Sequence, residues 1–318
     1  MNTSTVGVVG LGLLGRGIAT CLLAHGFRVV ACDTDAEARS EARQHIERSV
    51  HDLIDRGGFE ASLSHEWPAR YQDGEDVSTL ARCDFIIESI PEDLLAKRAL
   101  FDRIEQTVGP SVPIASNTSG LPISLLQDGR AHPARFVGMH WAEPCHLTRF
   151  LEVVRGAQTD DATIDAAIAL GTKLGKDPTL VRKDVDGFIV NRLGYAMFRE
   201  AFWLLENGVA DVASIDAAFR NAISVWANIA GPFRWMDLTG LPAYAAVMER
   251  LFPQLSTSTE VPETMRKLVE GGALGIANGR GFYTYTPDDA AAWQAAVVEN
   301  VWSVRDVQAS FTKSLPAR

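Results

Sequence analysis

Ten residues near the start constrain this chain more than any others. Val6-Gly7-Val8-Val9-Gly10-Leu11-Gly12-Leu13-Leu14-Gly15 sets a Gly-x-Gly-x-x-Gly run directly after a β-branched strand and at the start of a helix. In such a unit Gly10 permits a tight turn, Gly12 lets the backbone approach a pyrophosphate, and Gly15 allows close helix–strand packing. The helix N-terminus then faces the anion. The second strand runs out at Asp33, 18 residues after Gly15, where a carboxylate accepts hydrogen bonds from a ribose 2′-hydroxyl and repels a 2′-phosphate. No arginine stands at Thr34 or Asp35. These residues predict NAD, in preference to NADP, bound through Gly10, Leu11, Gly12, Leu13, Leu14, Gly15 and Asp33.

A single turn of this kind needs a sheet around it. The first 180 residues alternate β-branched runs with helical stretches, the pattern of a parallel sheet covered by helices. Strands are expected at 6–9, 28–32, 84–87, 112–115, 136–139 and 150–154. In the helix expected at 94–108, Leu94, Phe101, Ile104 and Val108 share one face, with Lys97 and Arg103 pointing elsewhere. Residues 35–56 are highly charged and read as a helix standing away from the sheet. After Lys183-Asp184-Val185-Asp186-Gly187 the periodicity becomes almost wholly helical. The expected division is 1–184 for the dinucleotide-binding part and 185–318 for a helical part. The segment 188–205 is apolar on most sides, so it is expected to be buried, in its own domain's core or against a second subunit.

Composition narrows the function. The 318 residues are 47% hydrophobic and 22% charged, enough to bury a core, and carry a net charge of −10. That balance argues against a nucleic-acid binder, which needs excess Lys and Arg to meet phosphates. No apolar run reaches the length of a membrane span, and Met1 to Thr5 lacks a basic leader region. A soluble, cytoplasmic chain is expected. Cys21, Cys32, Cys83 and Cys145 show no metal or disulfide spacing and read as small apolar residues in a reducing compartment.

Four further stretches carry chemical groups at strand ends. Asp84-Phe85-Ile86-Ile87-Glu88-Ser89-Ile90-Pro91-Glu92, with Lys97 beyond it, either borders the cofactor crevice or supplies a surface charge pair. Ser116-Asn117-Thr118-Ser119 offers hydroxyls and an amide to a substrate oxygen or the nicotinamide ribose, or merely caps the next helix. His140 ends a strand, and Glu152, twelve residues later, lies in the apolar run Phe150-Leu151-Glu152-Val153-Val154. A carboxylate buried there needs a partner, which a returning strand brings at His140. Such a dyad suits proton abstraction from a secondary alcohol. No third ligand stands at a spacing that suits a metal.

Together these blocks resemble the 3-hydroxyacyl-CoA dehydrogenase family from about Val6 to Tyr285. Asp186-Gly187-Phe188-Ile189-Val190-Asn191-Arg192, Gly231-Pro232-Phe233, Asp237-Leu238-Thr239-Gly240-Leu241 and Gly281-Phe282-Tyr283-Thr284-Tyr285 complete the pattern. The resemblance implies a Rossmann-type α/β domain followed by a mainly α-helical domain that forms a homodimer. It implies His140 as general base, Glu152 as the group that orients it, and Ser119 and Asn191 near the substrate oxygen or the histidine. It also implies that Glu92, Lys97, Asn117 and Ser119 border the cofactor.

One stretch departs from the family. After the histidine the family reads Phe-Phe-Asn-Pro, where this chain has Trp141-Ala142-Glu143-Pro144, which sets the charge of Glu143 near the nicotinamide. With His146, this run is similar to a branch acting on small free acids, such as the pyridine-carboxylate dehydrogenase of vitamin B6 breakdown. Residues 36–76 hold five arginines, no lysine and ten acidic residues, a surface that repels the phosphates of coenzyme A. A small hydroxy acid is therefore expected over an acyl-CoA ester. The alternatives are an ordinary L-3-hydroxyacyl-CoA dehydrogenase, a lysine-based dehydrogenase of the 3-hydroxyisobutyrate type using Lys183, and a non-catalytic NAD-binding relative.

Overall fold

The computed structural model describes residues 4–314, so Met1–Thr3 of the amino-terminal segment lie outside it. The chain divides into two compact units, Met1–Arg192 and Leu193–Arg318. The first is an eight-stranded sheet: β1 (Thr5–Val9), β2 (Arg28–Cys32), β3 (Tyr71–Gly74), β4 (Phe85–Glu88), β5 (Ile114–Ser116), β6 (Phe136–His140), β7 (Phe150–Val154) and β8 (Asp177–Val181). Its order is β3-β2-β1-β4-β5-β6-β7-β8. All neighbours run parallel except β6 and β7. The strand order reverses between β1 and β4, the switch point where α/β sheets open a ligand crevice at their carboxyl edge.

Helices α1 (Leu13–Ala24), α2 (Ala36–Gly57), α3 (Leu63–Arg70), α4 (Leu94–Thr107), α5 (Ile123–Gln127) and α6 (Asp161–Lys173) cover this sheet. Alternate strand residues feed two cores, as the period of two requires. Phe85 and Ile87 join the core with α1, α2 and α6, and Ile86 joins the one with α4. Helix α2 stands off from the strands, as its charge suggested, but is not solvated on all sides. Ala42, Ile46 and Val50 are buried along one stripe, and it packs on α1 rather than directly on a strand. Strands β3 and β8, absent from the sequence expectation, form the two edges. Tyr-Gln-Asp-Gly and Asp-Pro-Thr-Leu-Val are polar or proline-bearing because an edge strand leaves one flank to water.

The second unit is helical. It takes most of α7 (Val190–Glu206), then α8 (Val212–Ala218), α9 (Ser224–Ala227), α10 (Pro232–Thr239), α11 (Leu241–Leu251), α12 (Glu263–Glu270) and α13 (Pro287–Ser314). Of the two covers expected for this segment, the core of its own domain is not the one supplied to α7. No residue of α7 is buried within the chain, although Leu193, Tyr195, Phe198 and Trp203 line it. An apolar cavity of about 500 Å³ lies between α7, α8 and α12, lined by Phe198, Phe202, Ile215, Leu268 and Phe282 among others. Among the described residues no helix is long and apolar enough to cross a membrane.

Candidate active site

The glycine turn lies at the carboxyl end of β1. Gly10 has φ +91°, and a Cβ there would meet the Ser89 carbonyl oxygen at 2.6 Å. Only glycine lets the turn pass the end of β4. A Cβ on Gly12 would meet nothing within 4 Å, so open space lies before α1. Gly12 caps α1 without a side-chain hydrogen bond, and no acidic residue sits in the first turn. The N–H groups of that turn are therefore available to an anion. Asp33 stands opposite. Its Oδ2 accepts from Leu11 N–H at 2.7 Å and its Oδ1 from Asp35 N–H at 2.9 Å. Leu11 is buried, whereas Leu13 is exposed; Leu14 gives its carbonyl to the Cys145 thiol. These features fit a dinucleotide: an uncapped helix start with space before it, and a carboxylate at the end of β2.

At the ends of β4 and β5 the structure corrects the expectation for Lys97. It does not point away from the core but is fully buried. Its ammonium donates to Glu88 Oε1 at 2.6 Å and to the Ile90 carbonyl at 3.1 Å, with Glu92 Oε2 3.4 Å away. Ser116 Oγ donates to the other Glu88 oxygen at 2.5 Å. Burial pushes the Glu88 carboxyl up, opposed by Lys97, Ser116 and the Ile90 N–H. Glu92 instead holds the 118–120 loop, accepting from Thr118 Oγ1 at 2.5 Å and Ser119 N–H at 3.0 Å. Half-burial works against its charge, but the Thr118 hydrogen bond and Lys97 keep its carboxyl below the usual range. Asn117 ties neighbouring strand ends together, donating to Ser89 Oγ and accepting from Trp141 N–H, both at 3.0 Å.

Antiparallel pairing of β6 and β7 sets His140 directly opposite Glu152. His140 Nδ1 lies 2.8 Å from Glu152 Oε2, and the carboxylate is 1% exposed. Glu152 Oε1 accepts from the N–H groups of Ile189 and Val190 at 3.0 and 2.9 Å. Phe150 and Phe188 rings flank the imidazole, with centroids at 5.5 and 5.8 Å. Asn191 Nδ2 donates to the Ser119 carbonyl at 2.7 Å, so Ser119 and Asn191 meet through the Ser119 backbone rather than its hydroxyl. With Nδ1 engaged, Nε2 is the nitrogen left to take a proton.

The loop after β6 packs on α1. The Cys145 thiol donates to Glu143 Oε2 at 3.8 Å, and partial burial raises the Glu143 carboxyl despite Cys145 and the nearby Arg16. Lys176 donates to the carbonyls of Cys145 and Thr148 and lies over the Trp141 ring. All four cysteines are buried, and none is joined in a disulfide among the described residues. Among the described residues no group of three or more His, Cys, Asp or Glu is placed to hold a metal.

Three contributors, Glu88, Ile189 and Val190, were not singled out from the sequence. Glu88 sits in an apolar strand, the same signal that drew attention to Glu152, and points to a buried partner by the same logic. The Ile189 and Val190 contributions are backbone amides, which carry no residue-type signal.

Comparison with known proteins follows these features. The model of the 3-hydroxyacyl-CoA dehydrogenase NAD binding domain matches residues 5–185, and that of the 3-hydroxyacyl-CoA dehydrogenase C-terminal domain matches residues 187–285. The 5-formyl-3-hydroxy-2-methylpyridine 4-carboxylate 5-dehydrogenase of Mesorhizobium japonicum is 33% identical over 304 residues, covering 95% of this chain and 97% of that protein. A crystal structure of a dehydrogenase of this name, described as an NAD+-dependent dismutase, superposes with a TM-score of 0.91 at 31% identity, covering 96% of this chain and 99% of that one. For the (S)-3-hydroxybutyryl-CoA dehydrogenase of Ralstonia eutropha the TM-score is 0.75 at 33% identity, with 90% and 100% covered.

Proposed function

Because this chain belongs to the 3-hydroxyacyl-CoA dehydrogenase family, NAD-dependent oxidoreductases of hydroxyl groups, we propose that it oxidises a small free hydroxy acid rather than an acyl-CoA ester. The observation that carries this choice is the closer superposition on the pyridine-carboxylate dehydrogenase, at TM-score 0.91 against 0.75 for the hydroxybutyryl-CoA enzyme. The arginines near α2 support it. Arg43 and Arg70 are paired with Asp73 and Glu66, and Arg39 donates to the Asp33 carbonyl, so three of the five arginines at 36–76 hold partners that a coenzyme A phosphate would have to displace.

The uncapped start of α1, from Gly10 to Gly15, would hold the pyrophosphate of NAD, and Asp33 its ribose hydroxyls. When bound, NAD+ supplies the hydride acceptor. His140 takes the substrate hydroxyl proton on Nε2, and the Glu152 carboxylate stabilises the imidazolium that results. Ser119 and Asn191 border the substrate oxygen, while Lys97, Glu92 and Asn117 fix the loops around the cofactor. Glu143 stands at the nicotinamide end. The helical unit pairs with a second copy, which covers the apolar residues of α7. The working form is a homodimer.

An activity screen tests this reading. NADH should form with small free hydroxy acids, free coenzyme A should not inhibit, and Arg48→Ala with Arg56→Ala should leave kcat/KM almost unaltered. Efficient turnover of 3-hydroxybutyryl-CoA, weakened by those substitutions, would restore the ordinary family function. No NADH from any hydroxy acid or ester would point to a non-catalytic relative. Comparable kcat/KM with NADP+ would remove the assignment of Asp33.

A further inference from the structure

The turn that leads into α7 holds a backbone conformation that asks for an explanation. Gly187 has φ +75° and Phe188 φ +49°, and Phe188 is the single non-glycine residue with positive φ among those described. For an L-residue the left-handed conformation costs about 1–2 kcal/mol, and it persists only where the surroundings enforce it. The turn is closed by Phe188 N–H to the Val185 carbonyl at 3.0 Å. The two N–H groups that follow, of Ile189 and Val190, both reach Glu152 Oε1. Val190 opens α7. The carboxylate thus caps a helix from another element, taking N–H groups that a helix start leaves without internal partners, at the positive end of its dipole.

We propose that Phe188 is a positioning residue whose left-handed backbone turns the Ile189 and Val190 amides onto Glu152 and thereby fixes the tautomer of His140. The chemistry runs through acceptors and donors. With two amide N–H bonds on Oε1, the Glu152 carboxylate serves as an acceptor. The third bond, from His140, must then come from an Nδ1–H, which leaves the Nε2 lone pair as the base. Without the amides, Glu152 Oε1 loses both its donors and the carboxylate is no longer held facing Nδ1. The single imidazole proton can then reside on Nε2 instead of Nδ1, where it blocks proton abstraction. Glycine at 188 would relieve the backbone but remove the ring that walls the imidazole at 5.8 Å.

The tautomer is independent of any substrate. Its consequence for catalysis rests on the dehydrogenase reading above. Leucine and isoleucine at position 188 separate backbone from bulk, because they are isomers and only isoleucine, branched at Cβ, strongly resists positive φ. Nitrogen-15 histidine NMR of the full-length protein reads the tautomer, and steady-state kinetics reads kcat and KM. In Phe188→Leu, His140 should stay protonated on Nδ1 and kcat should fall by about threefold at most. In Phe188→Ile, Nε2–H signal should appear and kcat should fall about tenfold or more, with KM for NAD+ unchanged. Val190→Pro tests the same link if Phe188→Ile does not fold. Proline is tolerated at the first helical position and deletes one of the two donors, so the same shift of tautomer and kcat is expected. Equal tautomer and kcat in Phe188→Leu and Phe188→Ile, or a Val190→Pro protein indistinguishable from the parent, would overturn the proposal. If the parent oxidises no hydroxy acid, the functional reading fails, and the tautomer comparison alone decides the role of Phe188.

Discussion

Residues 4–192 bury valine, leucine and isoleucine on both faces of a sheet, whereas from Leu193 to Phe311 only Ala230 and Trp302 are buried among the described residues. The contrast is one of completeness, not of composition. In the first unit buried polar groups such as Glu88, Lys97, Asn117, Gln127 and Glu152 are hydrogen-bonded. In the second, amphipathic helices carry apolar residues that one copy of the chain leaves open, with Leu193 59% and Tyr195 69% exposed. A closed unit can hold side chains in fixed geometry, which proton transfer needs. An open apolar helical unit suits assembly. On the function proposed above, the chemistry belongs to the first unit and the pairing of subunits to the second.

The contrast breaks or sharpens under substitution. The largest change in stability is expected at the buried pair. Lys97→Met leaves Glu88 without its cation, at about 3–5 kcal/mol, readable as a lower urea midpoint. Glu88→Leu with Lys97→Met should recover much of that loss. A single substitution costing under about 1 kcal/mol would mean the first unit is less closed than described.

The second unit should respond differently. On a helix face that stays in water, Phe198→Asp changes stability by no more than about 0.5 kcal/mol. Where a second copy covers that face, the same change should convert a dimer into a monomer in sedimentation velocity. A parent protein that is already monomeric at micromolar concentration would remove the assembly role.

The smallest effect is a pH dependence inside the first unit. Burial, then the charges of Arg16 and Arg48, lower His45 from 6.5 to about 4. The fold therefore favours the neutral ring. Its contribution to stability is complete above about pH 6.5 and is lost as the pH falls toward 4. His45→Gln should flatten the fall in Tm across that window relative to the parent. An identical slope would show that His45 is not linked to folding.

Much of the first unit was legible from sequence because its signals are local. The glycine turn, Asp33 and the β-branched central strands each declare themselves within a few residues. The edge strands β3 and β8 do not, since an edge tolerates the polar residues and proline that usually mark loops. Lys97 was misplaced although Leu94, Lys97, Phe101 and Ile104 recur at intervals of three and four, which puts the lysine on the buried face. The apolar stripe of α7 is plain in the sequence, but its cover is not, since a single chain supplies none. The amides that hold Glu152 were invisible, because only the left-handed turn at Gly187 and Phe188 aims them.

A double-mutant cycle on the dyad tests the account most directly. His140→Ala should lower kcat by about 10² to 10⁴ with NAD binding nearly unchanged. Glu152→Gln should lose much of the same rate. The account predicts that the double variant is little worse than His140→Ala, since the two side chains act as one unit. Losses that multiply would mean that the carboxylate and the imidazole work separately, and would contradict it.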